Sequence, residues 1–204
     1  MVEIDLEKTS QKDAYKLLIG AIVPRPIAWV STIGKNGITN VAPFSFFTGV
    51  SSAPPALMFS VTANPDGSEK DTLRNCKETK EFVVNIVSEE LAKPMNDSAS
   101  QFPPNVSEID QLKIKTLPST KIKAPRVAVS PIQMECKVLQ IVPIGQGIGS
   151  GNVIIGQVIQ FHVKDSVLIN GRISLKDLKP IARLAGSSYA KVTETFELER
   201  PTKS

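Results

Sequence analysis

The chain has 204 residues, 41% of them hydrophobic and 22% charged, proportions of a globular chain with one sizeable core and too little length for two generous domains. A net charge of +4 and an isoelectric point near 9.0 favour an anionic partner. The Lys and Arg are scattered, however, and nowhere interleave with aromatics as a single-strand groove requires, so a small anionic ligand fits better than nucleic acid.

In chain order, the segment before Pro24 carries a short helical pattern with Ala14, Leu17 and Leu18 on one face, which Pro24 and Pro26 stop. Its apolar run ends in Pro-Arg-Pro and lacks a cleavage site, and no run is long enough to span a membrane, so the expectation is a cytoplasmic protein. The glycosylation-type triplets at Asn96 and Asn105 then have no consequence. From Ile27 the texture changes: IAWVSTI and ITNVA flank Gly34-Lys35-Asn36-Gly37, a strong hairpin signal. FSFFTGV, PPALMFSV and EFVVNIV are further strand-like runs.

Ser68 followed by Asp71 reads as a capping box that opens a helix through LRNCKETK. A second helix is expected at Ser88, with Glu89 and Glu90 in its first turn and Pro94 as its limit. The Pro-rich segment 99–126 reads as a long surface excursion of the kind that forms lids, with a capped turn at Ser107 to Asp110. IQMECKVL alternates, which predicts one buried and one wet face and places Cys136 in the core. NVIIGQVIQFHV and VLING follow as strands, then a short helix opening at Ser174. The sum is a mainly β barrel with helical decoration, one domain over 1–204 with its core at about 20–190.

Four constellations carry chemistry. A helix start at Ser68 to Asn75 offers free backbone N–H groups, the Lys70 charge and the Ser68 and Thr72 hydroxyls, adequate for a terminal phosphate; it is equally a plain helix start beside a solvated Lys. Asn40 to Phe47 sets an amide and a serine among aromatics, either against a planar ligand or on a half-exposed strand, and Ser31 and Thr32 allow the same alternatives. Gly145 to Gly151 matches neither nucleotide-loop pattern and reads as a turn. Arg183 to Tyr189 is either a clamp for a ligand or subunit, or a C-terminal turn. Cys76 and Cys136 stand far apart without CxxC, and His162, the sole histidine, lies on a polar strand face as a partly exposed structural residue; no metal site is expected.

PRPIAWVST, the Asn-Gly hairpin, NVAPFSFF, GVSSAPPALMFSV, KDTLRN and ARLAGSSY occur together in an order that resembles the flavin reductase-like, FMN-binding split-barrel family, flavoredoxin-type proteins included. The resemblance implies a Greek-key split barrel, a homodimer, and FMN in a groove near the subunit interface. By that analogy Ser31, Thr32, Asn40, Ala42, Pro43, Ser45 and Phe46 line the flavin rings and ribityl chain. Ser60, Lys70, Asp71 and Thr72 surround the phosphate, and Arg183, Ser187 and Tyr189 close the site. The chemistry is then the flavin's, with NAD(P)H as donor, an electron-acceptor protein as partner and no catalytic side chain required. Where some members carry a Gly-His pair before the penultimate strand, this chain has GQGIGSGN, so an FMN electron carrier without NAD(P)H activity stands beside the reductase. A flavin-free anion-binding barrel is the third alternative.

Overall fold

Strand outweighs helix, 38% to 22%, in the computed structural model, which describes residues 1–103 and 106–201. Asn105 of the second glycosylation-type triplet lies outside those residues. In chain order the strands are β1 (Arg25–Pro26), β2 (Ala28–Ile33), β3 (Thr39–Phe44), β4 (Phe47–Ser52), β5 (Pro55–Thr62) and β6 (Glu81–Ile86). Then come β7 (Thr116–Leu117), β8 (Arg126–Val127), β9 (Ile132–Ile144), β10 (Gly151–Val163), β11 (Leu168–Ile169), β12 (Arg172–Ile173), β13 (Ile181–Arg183) and β14 (Tyr189–Lys191). The helices are α1 (Gln11–Ala21), α2 (Asp71–Thr79), α3 (Ala92–Asp97), α4 (Glu108–Gln111) and α5 (Leu175–Leu178).

Seven strands form one antiparallel sheet in the order β3-β2-β6-β9-β10-β5-β4. It curls until its two ends approach without pairing, so the barrel is split between β3 and β4; Phe44 of β3 packs on Phe59 of β5 with ring centroids 5.2 Å apart. The β2–β3 hairpin forms where Asn36-Gly37 predicts it, with Gly37 at φ +80°, a conformation other residues resist. On the bulged β9–β10 ribbon a Cβ at Gly156 would run into the Phe82 ring, so only glycine fits there.

Alternation along β2 divides the interior. Ala28 and Val30 point into the barrel with Phe44, Phe59, Phe82, Leu73 and Cys76. Trp29 points outward, against Val41, Val87, Leu91, Met95, Ile109 and Val127. Each large side chain so buried contributes about 2 kcal/mol, enough to hold the covering segment down. Trp29 also donates from Nε1 to Ser98 Oγ at 2.9 Å, which satisfies its one polar atom.

The described part of segment 99–126 runs over the surface and also forms a second layer: Ile109, Ile122 and Ala124 are buried, and with Val127 they cover the outer face of the sheet. This corrects the expected wet face of IQMECKVL, because Gln133 and Glu135 are buried beneath that layer along with Met134 and Cys136. Two helix boundaries also move. Ser68 does not cap α2; its hydroxyl donates to Asp66 Oδ1 at 2.6 Å within a tight turn, and Lys70 takes the cap position with no side-chain bond. Pro94 does not end a helix but sits in the first turn of α3, where its missing N–H costs nothing. On α1 the expected apolar face is uncovered: Leu17 and Leu18 are exposed and only Ile19 is buried.

Candidate functional site

The split between the sheet's ends opens beside the N-terminus of α2. There a cleft of about 720 Å³ is walled by Asn40, Ala42, Pro43 and Phe44 of β3, by the turn Thr62 to Lys70, by Asp71, Thr72 and Arg74 of α2, and by Ser98 to Phe102. Glu108 of α4 closes its floor.

The first turn of any helix leaves backbone N–H groups without intrahelical partners. At α2 those groups meet Lys70, whose extended backbone (φ −69°, ψ 148°) swings its side chain into the cleft. Burial lowers the Lys70 ammonium below its ordinary pKa. The carboxylates around it are engaged elsewhere: Asp71 holds Arg74 at 2.5 Å, Glu69 pairs with Lys77, and Asp66 takes the Ser68 amide and hydroxyl. Among the described residues Lys70 makes no ion pair, so a partly buried cation faces the cleft beside a positive helix end.

Deeper in, the polar groups satisfy one another. Asn40 Nδ2 donates to both Glu108 oxygens at 3.0 Å, and Asn40 Oδ1 accepts from Thr72 Oγ1 at 2.7 Å and Thr32 Oγ1 at 3.3 Å. Val41 N donates to Glu108 Oε2 at 3.3 Å. Burial pushes the Glu108 carboxyl above its ordinary pKa; the Val41 and Asn40 donors pull the other way and the nearby Asp71 charge adds to the rise.

Of the residues singled out in the sequence, Asn40, Ala42, Pro43, Lys70, Asp71 and Thr72 line the cleft together. The other eight do not. Ser31 and Thr32 are fully buried: Ser31 donates to Pro125 O at 2.5 Å and accepts from Asn85, whereas Thr32 accepts from Asn75 Nδ2 at 2.9 Å. Their unusual polarity on a core strand thus has protein partners. Ser45 and Phe46 make the β3–β4 turn at the cleft's edge, where Phe46 O accepts from Ser60 N. Ser60 lies on β5, one pleat before the cleft-lining Thr62.

Arg183, Ser187 and Tyr189 stand on the β13–β14 hairpin, with the Arg183 guanidinium 4.5 Å above the Tyr189 ring. Tyr189 donates to Asn96 Oδ1 at 3.0 Å, behind the Ser98 to Phe102 wall. Sequence reasoning missed two residues that organise this region. Arg25, 4% exposed, donates to Ile19 O, Ile22 O and Leu184 O and reaches Ser45 Oγ at 3.4 Å, tying α1, the β3–β4 turn and the late hairpin together. Glu108 is the other; the one sequence signal for it was the Ser107 cap, which accepts from Asp110 N and starts α4.

His162 pairs with Glu135 Oε1 at 2.6 Å, remote from the cleft, so the sole histidine is engaged in holding the 99–126 layer. Among the described residues no group of three or more His, Cys, Asp or Glu could hold a metal ion, and no helix is long and apolar enough to cross a membrane.

Comparison with known proteins agrees with this architecture. The chain is 42% identical to an uncharacterised protein of Halalkalibacterium halodurans, over 100% of this chain and 98% of that one. It superposes on nitrilotriacetate monooxygenase component B of Bacillus cereus with a TM-score of 0.93 and 42% identity, covering 97% and 98% of the two chains. With 2-nitrobenzoate 2-nitroreductase of Pseudomonas fluorescens the TM-score is 0.88 and the identity 30%, over 98% and 97%. The model of the flavin reductase like domain matches residues 20–178, most of the chain, and the protein belongs to that family of split-barrel oxidoreductases.

Proposed function

We propose that the chain, a single cytoplasmic domain, binds FMN in this cleft and works as an NAD(P)H-dependent flavin reductase that passes reducing equivalents to an acceptor protein. The observation that carries the reading is Lys70: a half-buried cation without an ionic partner among the described residues, at a helix N-terminus, in a cleft roomy enough for a flavin mononucleotide. Lys70 and the α2 amides would hold the phosphate, with Thr72 at the same turn and Asp71 turned aside to Arg74. Asn40, Ala42, Pro43 and Phe44 would set the plane of the rings, Ser45, Phe46 and Ser60 would edge the site, and Arg183, Ser187 and Tyr189 would brace its outer wall. Ser31 and Thr32 would act from behind β3 rather than by touch. Bound flavin supplies the hydride and electron transfer; the chain positions it and limits water.

Similarity to a protein named as component B of a monooxygenase supports an acceptor that receives the reducing equivalents. Exposed apolar side chains on α1, Tyr15, Leu17 and Leu18, with Ile22 just after it and Phe196 and Leu198 near the C-terminus, support burial against a second copy as a homodimer. One observation favours the electron-carrier alternative: the β9–β10 turn Gly145 to Gly151 brings no histidine to the site, and His162 is bound to Glu135.

Spectroscopy separates the alternatives. FMN bound to the purified protein should bleach on anaerobic addition of NADH or NADPH; retention of oxidised FMN under both donors would leave the carrier. Lys70→Glu should raise the Kd for FMN roughly 100-fold, since it replaces the phosphate's charge partner with a like charge. Unchanged FMN affinity in the folded variant would refute the site.

A further inference from the structure

We infer that Glu108 is a positioning residue of the proposed flavin site: from the 99–126 layer, its carboxylate locks the Asn40 amide and, through it, the first turn of α2 against β3. The inference rests on the flavin reading of the cleft. An asparagine amide has one donor end and one acceptor end, and at Asn40 both ends are engaged. The NH2 faces two carboxylate oxygens at 3.0 Å, and the carbonyl faces the Thr72 and Thr32 hydroxyls at 2.7 and 3.3 Å. A flip would set the carbonyl on the carboxylate, so a single orientation is permitted.

All of this lies out of water, Glu108 at 7%, Asn40 at 5% and Thr72 at 1% exposure, where an unpaired donor or acceptor is costly. The chain of bonds also decides what the cleft offers an anion. Thr72 commits its hydroxyl proton inward to Asn40, so at the first turn of α2 the donors that face the cleft are the backbone N–H groups and Lys70. Glu108 is itself fixed: Ile109 beside it is buried in the outer core, Ser107 caps α4, and Thr39 Oγ1 lies 2.9 Å from Ser107 Oγ. The layer over the sheet thereby reaches through to the cleft at one carboxylate.

A glutamate suits the place because three donor contacts converge on its two oxygens and nothing there accepts a proton. Glu108→Gln would turn an NH2 on either the Asn40 NH2 or the Val41 N–H. Asn40→Asp would set two carboxylates face to face. The double substitution exchanges donor for acceptor at the contact, while the carboxylate introduced at position 40 would still accept from Thr72 and Thr32.

The test compares these three variants with wild type in FMN titrations and, without flavin, in hydrogen exchange of the Leu73 and Arg74 amides. Each single variant should raise the Kd for FMN roughly tenfold and speed exchange in that turn, and the double variant should return to within about threefold of wild type on both counts. An FMN affinity for Glu108→Gln within about twofold of wild type, or additive losses in the double variant, would overturn the inference. Should Asn40→Asp fail to fold, Thr72→Val cuts the same chain at its far end; its effect must then be non-additive with Glu108→Gln, and additivity overturns the proposal. If wild type binds no FMN, the flavin reading falls, and exchange alone decides: α2 amides unaffected by Glu108→Gln would remove Glu108 as a positioning residue.

Discussion

Two buried glutamates fasten the 99–126 layer to the main sheet, and they are pushed in opposite directions. Glu135 reaches out from β9: it accepts from Thr120 N and Lys121 N at 2.7 Å and from Thr120 Oγ1 at 3.0 Å, with His162 Nε2 at 2.6 Å. Burial disfavours its charge, but those donors outweigh burial and hold its carboxyl below the ordinary 4.5. Glu108 reaches in from α4 to longer amide contacts at 3.0 to 3.3 Å and feels the Asp71 charge, so burial prevails and its carboxyl is raised. Burial leads at both; at Glu135 the donors outweigh it, and at Glu108 they do not and the Asp71 charge adds to it. The group held against its preference is the one that floors the cleft, where function tolerates an electrostatic cost.

The largest expected effect tests that contrast directly. Glu135→Leu would leave the Thr120 and Lys121 amides and His162 without their acceptor in a dry site, a loss of about 3 kcal/mol. Glu108→Leu would orphan the Asn40 and Val41 donors but also remove a carboxylate that burial penalises, so about 1.5 kcal/mol is expected. Denaturant midpoints at neutral pH measure both. Equal losses would break the comparison.

These two contacts also mark where sequence reasoning stops. Strands β2 to β6 follow from alternation and from the Asn-Gly turn, and α4 and α5 open at the serines that cap them, because those signals act within a few residues. Asn40, Lys70 and Thr72 were recognisable as chemistry on a strand and at a helix start, and they meet in the cleft. The α2 boundary was misjudged because Asp66, two residues before Ser68, accepts from both its amide and its hydroxyl and holds Ser68 in a turn of its own, away from the helix N–H groups that a capping oxygen would accept from. Glu135 reads as a wet-face charge and Glu108 only as part of a capped turn, since the partner of Glu108 lies 68 positions away and the cover over Glu135 comes from a Pro-rich stretch whose apolar residues are too sparse to show a period.

Opposed shifts give opposed pH slopes, a smaller effect than either truncation. Glu135 has a folded pKa below its unfolded value, so the unfolded chain binds more protons between the two; its stabilisation is complete above the unfolded pKa and is lost as pH falls through the folded one. Glu108 has a folded pKa above its unfolded value, so here the native state binds more protons, and stability falls as pH rises through that interval. Denaturant midpoints followed from neutral pH into acid should therefore lose the steep acid limb in Glu135→Gln. In Glu108→Gln they should lose a gentler gain on moderate acidification. Changes of slope from wild type that have the same sign in the two variants would contradict the assignment.

The smallest effect isolates one donor. His162 stands on β10, its side chain 19% exposed, and is one of the groups whose hydrogen bonds lower the Glu135 carboxyl. His162→Phe keeps the ring-sized bulk on that face but removes the donor, while both backbone amides and the Thr120 hydroxyl continue to hold the carboxylate. With those in place the loss at neutral pH should be only about 1 kcal/mol, well short of Glu135→Leu. The acid limb should move to higher pH at the same time, because a carboxylate with fewer donors protonates more readily. A large loss without that movement would mean that His162 holds the 99–126 layer by packing, and the contrast between the two glutamates would then rest on the backbone donors of Thr120 and Lys121 alone.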